Sequence, residues 1–326
     1  MPEPDPHLPS RDLCAFELWA RVVEMYSKMH LTKAKDKLIA LAGIAEFMST
    51  QVLGTETSPL MYVAGLWNKY LESQLLWRVE PEFRLKDRTF FHLSERPQDP
   101  PSSGRYIYRA PSFSWASVDA QKGSGIVYGE VTDSDLLIEL YKGENPVVIE
   151  NEESKSEFGL VAGGQVMIWG RLRRIKLYKD NDRFYWRLVD RTLKLGDKVV
   201  PLGKETHRNV YLDSPEDDEK RYKIFGSKDI YCVPAAYGER TEAQGSKYMI
   251  CLLLQLAEND KGLPKHWKKA ERRGTFRRIG LTKLSTWADK TAYDHILEKL
   301  ESDVNGLPYR PHKYRPETGH HLIRVI

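Results

Sequence analysis

QVMIWGRLRRIKLYKDNDRFYWRLVD, residues 165–190, is the stretch whose reading decides the fold. Its two halves, QVMIWGRLRRIKLYK (165–179) and RFYWRLVD (183–190), are rich in β-branched and aromatic residues, which suit a pleated surface. Between them stand Lys179, Asp180, Asn181 and Asp182, a cluster that favours a tight turn. The stretch therefore predicts a β-hairpin. Gly163-Gly164 just upstream reads as a second hairpin signal. Similar short runs bounded by turn residues lie on both sides: YIYRAPSFSWASV (106–118), GIVYGEV (125–131), LLIELYKG (136–143), NVYLD (209–213), DIYCVPA (229–235), YMICLLLQLA (248–257) and TFRRIGLTKLS (275–285). Many short strands at this spacing predict a mainly antiparallel β-sandwich or a partly open β-barrel over residues 105–286.

Ahead of that body the period changes from strand to helix. Ser10 is a candidate N-cap, and Trp19, Val22, Val23 and Tyr26 then recur on one side. A second helix is predicted over 31–48, capped by Thr32, with Leu38, Leu41, Ile44, Ala45 and Met48 as its stripe. A third is predicted over 61–78, with Tyr62, Leu66, Trp67, Tyr70, Leu71 and Leu75 along one side. The Pro/Ser/Gly-rich ERPQDPPSSG (95–104) reads as a linker. The organisation is thus an α+β chain: a disordered lead (1–9), a helical segment (10–94), the linker, the β-rich domain, and a C-terminal helix (287–302) with a polar tail reaching residue 326.

Bulk properties bound the function. Eight Trp and seventeen Tyr among 326 residues argue for packed cores and against disorder. The net charge of +4 marks no global nucleic-acid or membrane binder. Cys14, Cys232 and Cys251 are odd in number and far apart, so they predict free thiols in a reducing compartment. The opening MPEPDPHLPSRD is neither a signal nor a transit peptide, and the longest apolar runs are too short to span a bilayer. The expectation is a soluble, cytoplasmic protein without a membrane segment.

Few residues carry a chemical signal. Asp36, near the start of a predicted helix, fits the positive end of its dipole. Trp67, Trp77 and Trp115 are predicted to clamp the helices onto the β domain, with Gly65 letting another backbone come close. In APSFSWAS (110–117), Phe113 and Trp115 alternate with Ser112, Ser114 and Ser117, which is strand periodicity, and no serine sits in a GxSxG elbow. Arg171, Arg173, Arg174 and Lys176 in RLRRIKLYK, together with Arg277 and Arg278 in KHWKKAERRGTFRR (265–278), form a candidate basic patch beside aromatics, as in single-strand binders. The acidic run DSPEDDE (213–219) is set against that field, so nucleic acid is not the expected partner. GSGIVYG (123–129) and VAGGQV (161–166) match neither phosphate-loop pattern and read as turns. The histidines are dispersed, with only His320 and His321 adjacent, in a tail expected to fray; no metal or other cofactor is predicted.

Four segments in order resemble the region that follows the HET domain in fungal heterokaryon-incompatibility proteins. They are LTKAKDKLIALAGIAEFM (31–48), YVAGLWNKYLESQLLWR (62–78), YRAPSFSWASVD (108–119) and GTFRRIGLTKLS (274–285), and the resemblance spans about 15–290. Phe113 replaces the usual Trp and Ala120 the usual Gly. The sequence holds no segment similar to the YVALSYCWG motif of the HET domain, which looks related to TIR-type folds. The resemblance implies a non-catalytic accessory or regulatory module of non-self recognition and programmed cell death, in contact with a HET-domain protein, either as a stand-alone half or as a fragment. The alternatives are a nucleic-acid-binding β-barrel domain and a nucleotide-cleaving enzyme.

Overall fold

The structure is a computed structural model, described for residues 11–52, 60–84, 89–100, 103–120, 125–151, 157–181, 183–189, 192–195, 198–201, 205–240, 247–260, 263, 267, 271–298 and 313–326. The lead at 1–9 lies outside these residues. Helix α1 (Arg11–Tyr26) buries Ala15, Phe16, Trp19, Ala20 and Val23, a stripe of helical period that satisfies an amphipathic face. The second predicted helix is divided. A 3-10 turn (Ala34–Lys37) precedes α2 (Ile39–Phe47), and no side chain caps either start. The division follows from Lys37, whose side chain turns inward. Leu38, Leu41, Ala45 and Met48 are buried as expected, whereas Ile44 is exposed.

The third predicted helix does not form. Residues 61–78 make a two-stranded hairpin, Tyr62–Val63 with Leu66–Trp67, then one helical turn, α3 (Leu71–Gln74). Ala64 and Gly65 both have positive φ, the requirement of a type I′ hairpin turn. The apolar spacing of this stretch is that of a helix. Contacts from outside it, described below, make it turn.

The body is one eleven-stranded sheet. Its strands are β1 (Glu139–Leu140), β2 (Val147–Asn151), β3 (Val161–Gly170), β4 (Arg173–Asp180), β5 (Arg183–Leu188), β6 (Val210–Leu212), β7 (Ile230–Arg240), β8 (Lys247–Leu256), β9 (Thr275–Leu284), β10 (Tyr314–Arg315) and β11 (His320–Val325). The order is β5-β4-β7-β8-β9-β11-β3-β1, with β6 on β9, β10 on β11 and β2 on β3. All pairs are antiparallel except β9–β11. The strands do not close into a barrel. The predicted β4–β5 hairpin is present, with Asp180 opposite Arg183 and Asn181 in the left-handed region.

Gly163-Gly164 is not a turn. It lies inside β3, opposite Glu150 and Ile149, and VAGGQV is strand throughout. A Cβ on Gly164 would stand 2.6 Å from the Pro111 ring, so close packing accounts for that glycine. The described part of the predicted polar tail (313–326) is mostly strand, because β11 fills the gap between β9 and β3 and buries His321. α4 (Pro215–Tyr222) starts at the acidic run, and α5 (Lys290–Leu297) covers part of the expected C-terminal helix.

The central strands are buried on both faces, so β8 reads as an almost unbroken apolar run. One face joins a core running from Phe16 and Trp19 through Trp67, Trp77 and Trp115 to Val166 and Ile323. The other packs Leu177, Trp186, Met249 and Leu253 against Ala292 and Ile296 of α5. The front segment and the sheet share the first core, and residues 95–97 of the predicted linker are part of the packing rather than a tether. Ser94, Arg96 and Pro97 are buried, and Glu95 bridges to Asp119. No helix among the described residues is long and apolar enough to cross a membrane.

Candidate functional site

The three predicted indoles are interior. Trp67, Trp77 and Trp115 have no exposed surface. Trp115 and Trp19 both donate their indole N–H to the Gly65 carbonyl, at 2.8 and 3.0 Å, and Ser114 Oγ donates to Ala64 O. Trp77 donates to Phe113 O at 2.7 Å. Gly65 has φ +96°, and a Cβ there would lie 2.8 Å from the Trp115 ring. At ~25 cal/mol per Å2, each indole contributes at most roughly 4–6 kcal/mol of burial. The APSFSWAS segment is a 3-10 turn (Trp115–Ser117) with Ser114 as its N-cap, not a strand, because its serines are spent on main-chain bonds.

Charged groups stitch this clamp from within. Asp36 stays half-buried in the 3-10 turn, and the neighbouring Lys37 goes inside instead. Lys37 Nζ donates to Val118 O and to Asp119 at 3.0 Å, and Arg109 reaches both oxygens of the same carboxylate at 2.8 and 3.1 Å. Burial, and then the nearby Arg109 charge, pull the Lys37 ammonium down to about 8, against the attraction of Asp119. Arg96 grips buried Asp218 with two bonds of 2.9 and 2.8 Å. Arg278 lies 3.5 Å over the Trp77 ring and 3.3 Å from Asp213, without hydrogen-bond geometry to that carboxylate. Burial pushes Asp213 up to about 6, although Arg278 and Arg96 oppose it. The acidic run set against the basic patch is therefore largely spent inside.

The predicted basic patch is dispersed for the same reason. Arg173 is buried and donates to the carbonyls of His295 and Glu298 at the end of α5, where a cation suits the helix dipole. Arg278 is buried in the clamp, and Arg277 pairs with Asp260. Arg171 donates to Thr318 O at 3.1 Å. Only Arg174 and Lys176 remain on the outer face of β4.

A concavity lies elsewhere, in a cleft of about 830 Å3. One wall is the 96–112 segment with Tyr106 and Tyr108, and the opposite wall is β2 and β3 at Glu150 and Ala162–Gln165. The end of α4 brings Arg221 and Tyr222, the segment before β9 brings Trp267, and β9 itself brings Arg277. Cations and rings alternate here: Arg221 lies 4.5 Å from the Tyr106 ring and 4.9 Å from that of Tyr222, and Arg277 lies 3.5 Å over Tyr222. Tyr106 donates to Asp217 at 2.6 Å. Tyr108 is 50% exposed. Arg221 has no ion-pair partner among the described residues, and the shielded Gln165 Oε1 accepts no hydrogen bond. β11 pairs with β3 only over Val166–Gly170, so Ala162–Gln165 carry an unpaired edge among the described residues. Among the described residues no group of three His, Cys, Asp or Glu side chains is placed to hold a metal.

No protein-family model, curated protein or solved structure matches the chain. The cleft escaped the sequence reading because its parts come from separate segments scattered between Arg96 and Ile326. Tyr106 and Tyr108 stood inside a predicted strand, Arg221 at the edge of the acidic run, and Trp267 inside the second basic cluster.

Proposed function

We propose that this chain is a non-catalytic binding module that acts by protein–protein contact, of the accessory kind implied by its resemblance to heterokaryon-incompatibility proteins. The observation that carries the reading is the cleft, whose walls offer Tyr, Trp and Arg side chains, the residue types that dominate binding hot spots. Its ligand is an extended, acidic segment of a HET-domain protein. The main chain of that segment adds to the unpaired edge of β3, as in strand addition. An acidic side chain meets Arg221, and a donor meets Gln165.

The test is calorimetric titration with a purified HET-domain protein. Saturable binding, weakened at least tenfold by Arg221→Ala and by Tyr108→Ala, supports the reading. Absence of binding, or binding indifferent to both changes, counts against it. One observation favours a second reading, a nucleotide-cleaving enzyme: Glu150 supplies an exposed carboxylate in the cleft wall. NAD left intact after long incubation dismisses that reading, and loss that Glu150→Gln abolishes supports it.

A further inference from the structure

The outer face of the β4–β5 hairpin is not absorbed by the cleft or by either core. Alternation along β4 turns Ile175 and Leu177 inward and leaves Arg174, Lys176 and Tyr178 outside. Cross-strand register puts Tyr185 opposite Tyr178 and Arg187 opposite Lys176, on that same outer face. The two tyrosine rings stack at 5.0 Å and 11°. Arg187 lies 5.6 Å from the Tyr178 ring and 5.5 Å from the Tyr185 ring, Lys176 lies 5.7 Å from Tyr178, and exposed Arg208 lies 5.6 Å from Tyr185.

Two features of this face are unexplained by folding. Like charges directly across a ladder repel, yet Lys176 and Arg187 hold that arrangement. Among the described residues Arg174, Lys176, Arg187 and Arg208 form no ion pair, and the shielded Nε of Arg187 has no acceptor. The acids expected to cancel them are turned away: Asp213 and Asp218 are buried against Arg278 and Arg96, and Glu216 is taken by Lys179. What is left is a positively charged strand face with two mutually stacked tyrosines at its centre, each with one ring face turned away from the other.

We infer that this face binds single-stranded nucleic acid, with bases stacking on Tyr178 and Tyr185 and phosphates meeting Lys176, Arg187 and Arg208. A stacked ring pair bordered by cations accepts any base and gives binding tolerant of sequence but sensitive to salt. The candidate patch thus contributes only Arg174 and Lys176 here, and the other cations of the face come from β5 and the segment before β6.

The test is fluorescence anisotropy of a labelled mixed-sequence single-stranded 12-mer titrated with the full chain at low salt. Binding is expected that weakens as salt rises and exceeds binding to the matching duplex. Tyr185→Ala lowers the affinity at least about fivefold, the loss of one stacked base. Tyr185→Trp retains it, which separates loss of stacking from loss of fold. Lys176→Ala with Arg187→Ala flattens the log–log salt slope by about 1.4, two phosphates' worth on a single strand. Lys179→Ala, already paired with Glu216, leaves binding unchanged. A flat titration, or equal affinity for the duplex with Tyr185→Ala silent, overturns the inference. Polyglutamate competing as strongly as the oligonucleotide also overturns it, and assigns the face to an acidic protein.

Discussion

The clamp around Trp77 and the outer face of the β4–β5 hairpin are built from the same pairing, an arginine over an aromatic ring, with opposite outcomes. In the clamp Arg278 lies 3.5 Å from the Trp77 ring, and both are buried. Main-chain carbonyls take up donors there, as Trp77 O does for Arg278 and Gly65 O for two indoles. On the hairpin Arg187 sits over two tyrosines with no acceptor for its Nε. Whether a cation–aromatic pair is a fastener or a binding surface is thus decided by where it lies. Arg278 is buried and bonds a main-chain carbonyl even though its Nε and Nη1 find no acceptor, whereas Arg187 is half-buried on an outer face. Arginines buried against core rings and carbonyls hold the fold, and those left on the surface are open to a ligand.

That contrast breaks first, and hardest, at the buried ion pairs. Arg96→Met leaves Asp218 buried and uncompensated, so a loss of ~3–5 kcal/mol in chemical denaturation is expected. An unchanged midpoint contradicts the interior role. Gly65→Ala forces a side chain into the Trp115 ring at positive φ, and a loss of ~2–4 kcal/mol is expected from strain and crowding together.

A third effect comes from His321, which burial, aided by the Arg173 charge, pulls down to about 3. The unfolded histidine takes a proton near pH ~6.5 that the folded one refuses. Stability is therefore complete above that pH and is lost as pH falls towards 3, by at most ~1.4 kcal/mol per unit. Asp213, raised to about 6, works the other way and favours the folded state as pH falls from 6 towards 4. The wild-type curve minus that of His321→Leu isolates the histidine, and a difference that stays level between pH 6.5 and 4 refutes its burial as neutral imidazole. The smallest effect on stability is at the surface: Lys176→Ala with Arg187→Ala removes a repulsion, so the midpoint holds or rises by a few tenths of a kcal/mol.

Local pattern disclosed those parts of the fold that local forces decide. The hairpin at Asn181, the inward stripe of α1 and the apolar β8 were legible because turn chemistry and burial period act over a few residues. Residues 61–78 were misread because Trp19 and Trp115, on either side in sequence, pull the Gly65 carbonyl into a turn. ERPQDPPSSG looked like a tether because its Pro and Ser content is visible and the bond from Arg96 to Asp218, 122 residues away, is not. Trp67, Trp77 and Trp115 lie in the interior, and it is Lys37 rather than its neighbour Asp36 that turns inward. Of the basic patch, composition could not say which arginines had internal carboxylates waiting. The cleft left no signal, since its tyrosines and its free arginine meet only in the folded chain.

The central claim is that solvent-facing arginine–aromatic pairs serve ligands while buried ones serve the fold, and exposed Arg221 tests it most directly. Thermal melting and calorimetric titration with a HET-domain protein are measured together on Arg221→Ala. The account predicts a melting temperature unchanged within about a degree, as for an ordinary surface substitution, and partner binding weakened at least tenfold. A lowered melting temperature with binding intact contradicts it.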